Sequence, residues 1–257
     1  MNRKSHMIRE LAFSIFSEGI ISFFRNRNES ISYWRNIARA AVQPPETKMG
    51  KYLGLPQSSL NDIVPDIDSI PVSLIDYRYD YGNMPIHELM ILCKIVRNRR
   101  PSLIFEIGTF MGNTTLQIAA NSQAYIYTLD LPPLGHNDHN KPQILDPMSD
   151  VYPNIPGIRF HGTSYADRIH QLFGDSQTFD FAPYYGRIDF ILIDAFHHYE
   201  FVLRDSLNAI RMISPNGVIV WHDYASYAPG VVRALNELNN KFPLRHIIGT
   251  SFAIYIA

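Results

Sequence analysis

The sequence predicts an α/β protein: a doubly wound, mostly parallel sheet of seven strands with an antiparallel pair at the C-terminus and a mainly helical N-terminal extension. Three observations predict it. From Pro85 onward, short apolar runs alternate with segments of helical periodicity, which is how a parallel sheet is covered on both faces. The first run, Ser102–Gly108, passes into a helix through Gly108 and Gly112, where glycine lets the backbone approach a ligand and free N–H groups point at it. The last two strands are separated only by Gly249-Thr-Ser251, too little chain for a crossover, so they should pair antiparallel.

The elements follow in order. A chain of 257 residues, 46% hydrophobic and 18% charged, can bury one large core and still carry an appendage. Residues 1–84 read as that appendage and 85–257 as the main domain. Near the N-terminus, Leu11–Phe24 is apolar after Arg3, Lys4 and Arg9, but Glu18 interrupts it, no small-x-small cleavage site follows, and the run is too short to span a bilayer. Its apolar residues fall at helical spacing, so it reads as an amphipathic helix packing on the body or on a second copy in a homo-oligomer. Residues 43–75 carry Pro44, Pro45, Pro56, Pro65 and Pro71 and read as loops. Pro85 opens a helix with Ile86, Leu89, Met90, Cys93 and Val96 on one stripe. Strand, helix and strand follow at 102–108, 113–120 and 124–131. The pattern then predicts a third strand at Ile158–Gly162 and a helix at Tyr165–Phe173. A fourth strand at Ile188–Asp194, a helix at Tyr199–Ile213, a turn at Pro215–Gly217, a fifth strand at Gly217–Trp221 and a helix at Val231–Asn239 complete the alternation. The short strands His246–Ile248 and Phe252–Ile256 close it.

Composition narrows the function. A net charge of −1 gives no global field for nucleic acid. The single cysteine, Cys93, excludes an intramolecular disulfide and a cysteine-based metal cluster, and is compatible with a reducing, cytoplasmic setting.

In a doubly wound sheet, ligands sit beyond the carboxyl ends of the strands. Those ends are predicted to deliver Glu106, Gly108 and Thr109, then Asp130, then Thr163 and Ser164, then Asp194 with Phe196-His-His-Tyr-Glu200, then His222 and Asp223. Asp130 follows Glu106 by 24 residues, where a carboxylate can accept both hydroxyls of a ribose. Asp194, His197, His222 and Asp223 could surround one small volume, suited either to a divalent cation or to a general base beside bound substrate. His136, Asp138 and His139 lie in a Pro-rich insert, 132–156, that reads as a solvated loop able to act as a lid. Tyr184 and Tyr185 are candidates for an acceptor pocket, with simple packing as the alternative.

At this point the residues resemble a family. Phe105-Glu-Ile-Gly-Thr-Phe-Met-Gly-Asn-Thr-Thr115 is similar to motif I of class I S-adenosylmethionine-dependent methyltransferases, whose fold is Rossmann-like, and Asp130 matches the acid ending their second strand. Ile188–Glu200 and Gly217–Tyr224 resemble segments of a small-molecule O-methyltransferase-like subgroup related to macrocin O-methyltransferases and cephalosporin hydroxylase-like proteins. Pro229-Gly-Val and Gly249–Tyr255 also fit. The resemblance covers about residues 85–257 and implies S-adenosylmethionine as cofactor. It implies that Glu106, Gly108, Thr109, Gly112, Thr114, Asp130, Leu131, Ser164 and Asp194 bind it, and that a small-molecule hydroxyl is the acceptor. It also implies His197, Asp223 and Asp194 as catalytic residues, with Asp194, His222 and Asp223 as ligands where Mg²⁺ is used. Two positions depart from the pattern: Phe196 stands in place of a second acid, and His222 in place of the first of two aspartates in macrocin-type enzymes, although His-Asp is usual in the closer subgroup. Two other functions remain open: a methyltransferase-like binding module without catalysis, kept by Phe196, and a nicotinamide-dependent oxidoreductase, against which the glycine spacing argues.

Overall fold

Ile-rich segments dominate the centre of the sheet because strands covered on both faces must be apolar throughout rather than alternating. A computed structural model describes residues 53–77, 82–133 and 155–257. The expected N-terminal helix and the insert's His136, Asp138 and His139 lie outside the described residues. Among those described, no helix is long and apolar enough to cross a membrane. The strands are β1 (Gln57–Ser58), β2 (Leu103–Ile107), β3 (Tyr125–Asp130), β4 (Ile169–Phe173), β5 (Ile188–Ile193), β6 (Ile213–Trp221), β7 (Arg245–Ile247) and β8 (Ala253–Ile256). The helices are α1 (Leu60–Ile63), α2 (Ile86–Arg99), α3 (Asn113–Ala120), α4 (Tyr199–Met212) and α5 (Pro229–Leu238).

One sheet runs in the order β1-β7-β8-β6-β5-β2-β3-β4. β8 pairs antiparallel with both β6 and β7, and every other pairing is parallel. The mostly parallel sheet with its C-terminal antiparallel pair is therefore as the sequence predicts. Helices α2 and α3 pack on one face, over Ile104, Ile126 and Leu192. Helices α4 and α5 pack on the other, over Phe105, Ile191 and Ile219.

The eighth strand was not foreseen. β1 comes from the Pro-rich stretch assigned to the extension and pairs in parallel with β7, Gln57 opposite His246. Around it, Leu53, Leu55, Ile63, Val64 and Ile67 are buried. The Tyr224 hydroxyl ties this segment down by donating to the Leu53 carbonyl and accepting from Leu55 N–H at 3.0 Å. Proline content had masked a short segment whose ordering is tertiary, not local.

The third strand is corrected. Residues 158–162 are turns, and the strand is Ile169–Phe173, where a helix was predicted. The alternation of Ile158, Phe160 and Gly162 looked like a strand face, yet only Phe160 is buried, while Ile158 is 45% exposed. Ile169-His-Gln-Leu-Phe173 instead continues the sheet beyond β3, Ile126 opposite Ile169 and Asp130 opposite Phe173. Ladder pairing overrides a weak helical period over five residues. The predicted turn at Pro215–Gly217 lies within β6 as a register shift: Ile188 pairs with Ile213, but Phe190 pairs with Val218.

The chain runs outward in opposite directions from β2: β3 and β4 lie to one side, β5 and β6 to the other. This is the switch point of an open α/β sheet, where the connections diverge and leave a crevice at the carboxyl ends. Gly108 sits at its floor with φ +101°, and an added Cβ would lie 2.0 Å from the carbonyl oxygen of Asp194. The ends of β2 and β5 approach so closely that only glycine fits.

Candidate active site

Two halves of the crevice edge are built differently. Over β2 and β3, the site is mainly backbone. The loop 108–112 leads into α3 with Gly112 at its N-cap. The Asp130 carboxylate accepts from Thr109 N–H at 3.0 Å and Phe110 N–H at 2.6 Å through Oδ2, and from Leu131 N–H at 2.7 Å through Oδ1. A single aspartate thus ties the end of β3 to the glycine loop. A cavity opens between this loop, the start of α3 and the segment before α2, lined by Asn83, Met84, Gly108, Asn113, Thr114 and Asp194. Asn113 Nδ2 is buried there without a hydrogen-bond partner.

Beneath the loop lies Glu106, 1% exposed. Thr115 and Thr128 donate their hydroxyls to its Oε2, each at 2.5 Å. Burial pushes its carboxyl up to about 8 against those two hydrogen bonds, with Asp194 and Asp130 adding to the rise. Glu106 is therefore a neutral acid below the floor, clamping β2 to β3 and α3. Glu106 is thus sealed beneath the loop and does not line its open face.

Over β5 and β6, the site is made of side chains. His222 is buried and stands among three carboxylates: Nε2 is 2.9 Å from Glu88 Oε2, and Nδ1 is 3.1 Å from both Asp194 Oδ1 and Asp223 Oδ2. Burial works against a charged ring, but Asp194, Asp223 and Glu88 outweigh it and hold the His222 pKa well above the ordinary imidazole value. Glu88 also accepts from Ser251 N–H; burial disfavours its charge, yet His222 and Ser251 bring its pKa below the usual glutamate value. Asp223 has φ +60°, a left-handed conformation that directs its carboxylate back over the edge. It meets His197 Nε2 at 2.7 Å through Oδ2 and accepts from the Tyr227 hydroxyl at 2.6 Å through Oδ1. Burial would raise its pKa, but His197 and His222 drive it far below the carboxylate range. Gly230 secures the His197 loop: a Cβ there would stand 2.2 Å from the His197 carbonyl oxygen.

Asp194, His197, His222 and Asp223 are thus brought together, as expected. Gly108, Thr109, Gly112, Thr114, Asp130 and Leu131 share the other half of the edge. Ser164 does not join them: it is exposed in the turn ahead of β4, because the strand begins five residues later. The carboxyl end of β4 instead delivers Gly174 and Asp175. Tyr184 packs edge-on against Phe105 and Tyr127, centroids 4.9 and 5.1 Å apart, and Tyr185 sits 5.5 Å from the Arg211 guanidinium. Tyr184 is a packing residue, whereas Tyr185 is exposed. Sequence reasoning missed Glu88, Tyr227 and Ser251. Glu88 alone carried a signal, an acid one turn before Leu92 and two before Ile95 on the buried face of α2.

Comparison with known proteins fits this geometry. Residues 105–224 match a family model described as a methyltransferase domain. No curated protein matches the sequence. Among solved structures, the methyltransferase PaMTH1 of Podospora anserina, bound to S-adenosylhomocysteine, aligns with a TM-score of 0.51 at 15% identity over 68% of this chain and 79% of its own. The O-methyltransferase NovP aligns with a TM-score of 0.52 at 13% identity, over 70% and 84%. At these identities the likeness is one of fold.

Proposed function

We propose that the chain is a class I, S-adenosylmethionine-dependent methyltransferase that methylates a hydroxyl of a small molecule, a reading supported by the match of residues 105–224 to a methyltransferase-domain model. The observation that carries this reading is the glycine loop at the N-terminus of α3, held by Asp130 at the end of the neighbouring strand. The glycine loop, the N-terminus of α3 and a carboxylate placed where it could accept ribose hydroxyls converge there, which suits a nucleoside cofactor. The methionine part of the cofactor would enter the cavity between Met84, Asn113 and Thr114.

The acceptor would lie over β5 and β6. Bound S-adenosylmethionine would supply a methyl group on a sulfonium sulfur, and the residues over β5 and β6 would hold the acceptor oxygen in line with it. The protein's main contribution is to align the two reactants. The hydroxyl proton goes to His197. His197 Nε2 lies 2.7 Å from Asp223 Oδ2, so Asp223 would stabilise the imidazolium that forms. Tyr227 and His222 in turn fix Asp223. A cytoplasmic setting suits a chain with one cysteine.

The donor set also fits a divalent cation. One oxygen each from Asp194 and Asp223 and one nitrogen of His222 lie within 4.8 Å of one another, and the Ser251 hydroxyl, buried nearby, has no hydrogen-bond partner. Such an ion, Mg²⁺ by the family resemblance, would supply positive charge that acidifies the acceptor hydroxyl.

Calorimetric titration with S-adenosylhomocysteine and, separately, NADH tests the cofactor reading. Micromolar binding of the first alone is expected. Binding of neither would leave a methyltransferase fold without its cofactor, and binding of NADH alone would make the chain an oxidoreductase.

A further inference from the structure

His222 is an unusual cation ligand to place beside two aspartates, and its surroundings say how it would be used. A histidine that binds a metal presents one ring nitrogen and donates the other N–H to a carboxylate or carbonyl, which fixes the tautomer and the ring plane. Here the far nitrogen, Nε2, meets Glu88 Oε2 at 2.9 Å. The near nitrogen, Nδ1, faces Asp194 Oδ1 and Asp223 Oδ2, each at 3.1 Å, and a cation bound there would displace its proton to solvent. Donors that ligate one ion at about 2.1–2.2 Å from adjacent positions stand about 3 Å apart, as His222 Nδ1 does from each carboxylate oxygen, and all three donor atoms lie within 4.8 Å of one another.

Glu88 is itself well placed for this task. It is 4% exposed and sits on α2, which is fixed by core contacts through Leu89, Leu92 and Ile95. Its other oxygen, Oε1, takes the backbone N–H of Ser251, so the carboxylate cannot swing away from the ring. Ser251 also leaves its buried hydroxyl unpartnered, a free polar group beside the cluster.

The donor chemistry bears on which ion is held. Mg²⁺ favours an all-oxygen shell and keeps several waters, whereas an imidazole nitrogen draws first-row transition ions. We propose that Glu88 orients His222 as the nitrogen ligand of a cation site shared with Asp194 and Asp223, and that this site takes a first-row transition dication in preference to Mg²⁺. The inference deepens the proposed function by naming the ion class and a positioning residue outside the strand ends. It does not depend on the methyl acceptor.

The test uses the full-length chain stripped with chelator, titrated calorimetrically with Mn²⁺, Zn²⁺ and Mg²⁺, and probed by the nitrogen hyperfine coupling of bound Mn²⁺. One Mn²⁺ per chain is expected, with a nitrogen coupling and an affinity at least about 100-fold above that for Mg²⁺. Glu88→Gln should weaken Mn²⁺ by about 10- to 100-fold. His222→Asp should abolish the nitrogen coupling and bring Mg²⁺ and Mn²⁺ to within about tenfold of each other. S-adenosylhomocysteine affinity, measured on the same samples, reports the fold and the cofactor reading separately. The inference is overturned if no cation binds, leaving His222 as an internal counter-ion to three carboxylates. It is equally overturned if Mg²⁺ binds as tightly as Mn²⁺, or if Glu88→Gln binds Mn²⁺ like the unaltered chain. Cation binding without S-adenosylhomocysteine binding would sink the proposed function and leave this inference standing.

Discussion

The two halves of the crevice edge solve the same problem, holding polar groups at the end of a buried sheet, by opposite means. Over β2 and β3, one carboxylate grips main-chain amides, and a neutral acid below it is sealed by two threonines. Over β5 and β6, side chains from α2, the strand ends and the following loops bond to one another around His222 and Asp223. A backbone site is specific in shape and tolerates little change in geometry. A side-chain network is specific in charge and tolerates little change in protonation. The first suits a cofactor of fixed shape, and the second suits a step in which a proton moves.

The sharpest way to break the backbone half is Gly108→Ala. The new Cβ meets the Asp194 carbonyl at 2.0 Å in a conformation with φ +101°, so β2 and β5 must separate. A loss of about 3 kcal/mol or more is expected, lowering the melting temperature by roughly 6–12 °C, with cofactor binding lost alongside. Thermal unfolding with and without S-adenosylhomocysteine checks both; an unchanged melting temperature would mean that the strand ends are not held as described.

The side-chain half is broken most cleanly at His197. His197→Ala should lower kcat by about 10²- to 10⁴-fold, the usual worth of a general base. It should leave the S-adenosylhomocysteine dissociation constant within about threefold, because the residue belongs to the other half of the edge. Equal losses in both quantities would show that the two halves are not separable.

Asp130→Ala is the mirror experiment. It removes the acceptor for two loop amides, and with it the carboxylate proposed to hold the ribose. Affinity for S-adenosylhomocysteine should fall by about 10- to 100-fold, the scale of a charge-assisted hydrogen bond. Turnover at saturating cofactor should survive. Unaltered affinity would take Asp130 out of the cofactor site and leave it as a loop clamp only.

The same contrast explains what could be read in advance. The half proposed to hold the cofactor lies within one contiguous stretch, 105–115, plus the end of the next strand, so its glycines and Asp130 are visible as a pattern. The strand-end members of the other half, Asp194, His197, His222 and Asp223, are visible once the strands are placed. Their supports are not: Glu88 lies 134 residues from His222 and 163 from Ser251. No local period encodes such a pairing. Ser164 was misassigned for a related reason. Its strand was placed by a five-residue alternation, whereas the true strand at 169–173 is selected by its neighbour β3.

Glu106 gives the smallest effect, and it tests whether the backbone half is indifferent to charge. Its pKa of about 8 in the folded chain lies above the 4.5 of an exposed glutamate, because burial disfavours the ionised form. Between those two values the folded state binds more protons than the unfolded one, so stability falls as pH rises. The contribution is full below about pH 4.5 and gone once pH passes about 8. Glu106→Gln removes the titration while keeping a carbonyl for Thr115 and Thr128. It should therefore flatten the decline between pH 5 and pH 8 and leave the variant about 1 kcal/mol more stable than the unaltered chain at the upper end. Urea unfolding across that window measures it. A variant that instead loses stability equally at every pH would mean that Glu106 is ionised in the folded chain. The floor of the cofactor half would then be held by charge, like its neighbour.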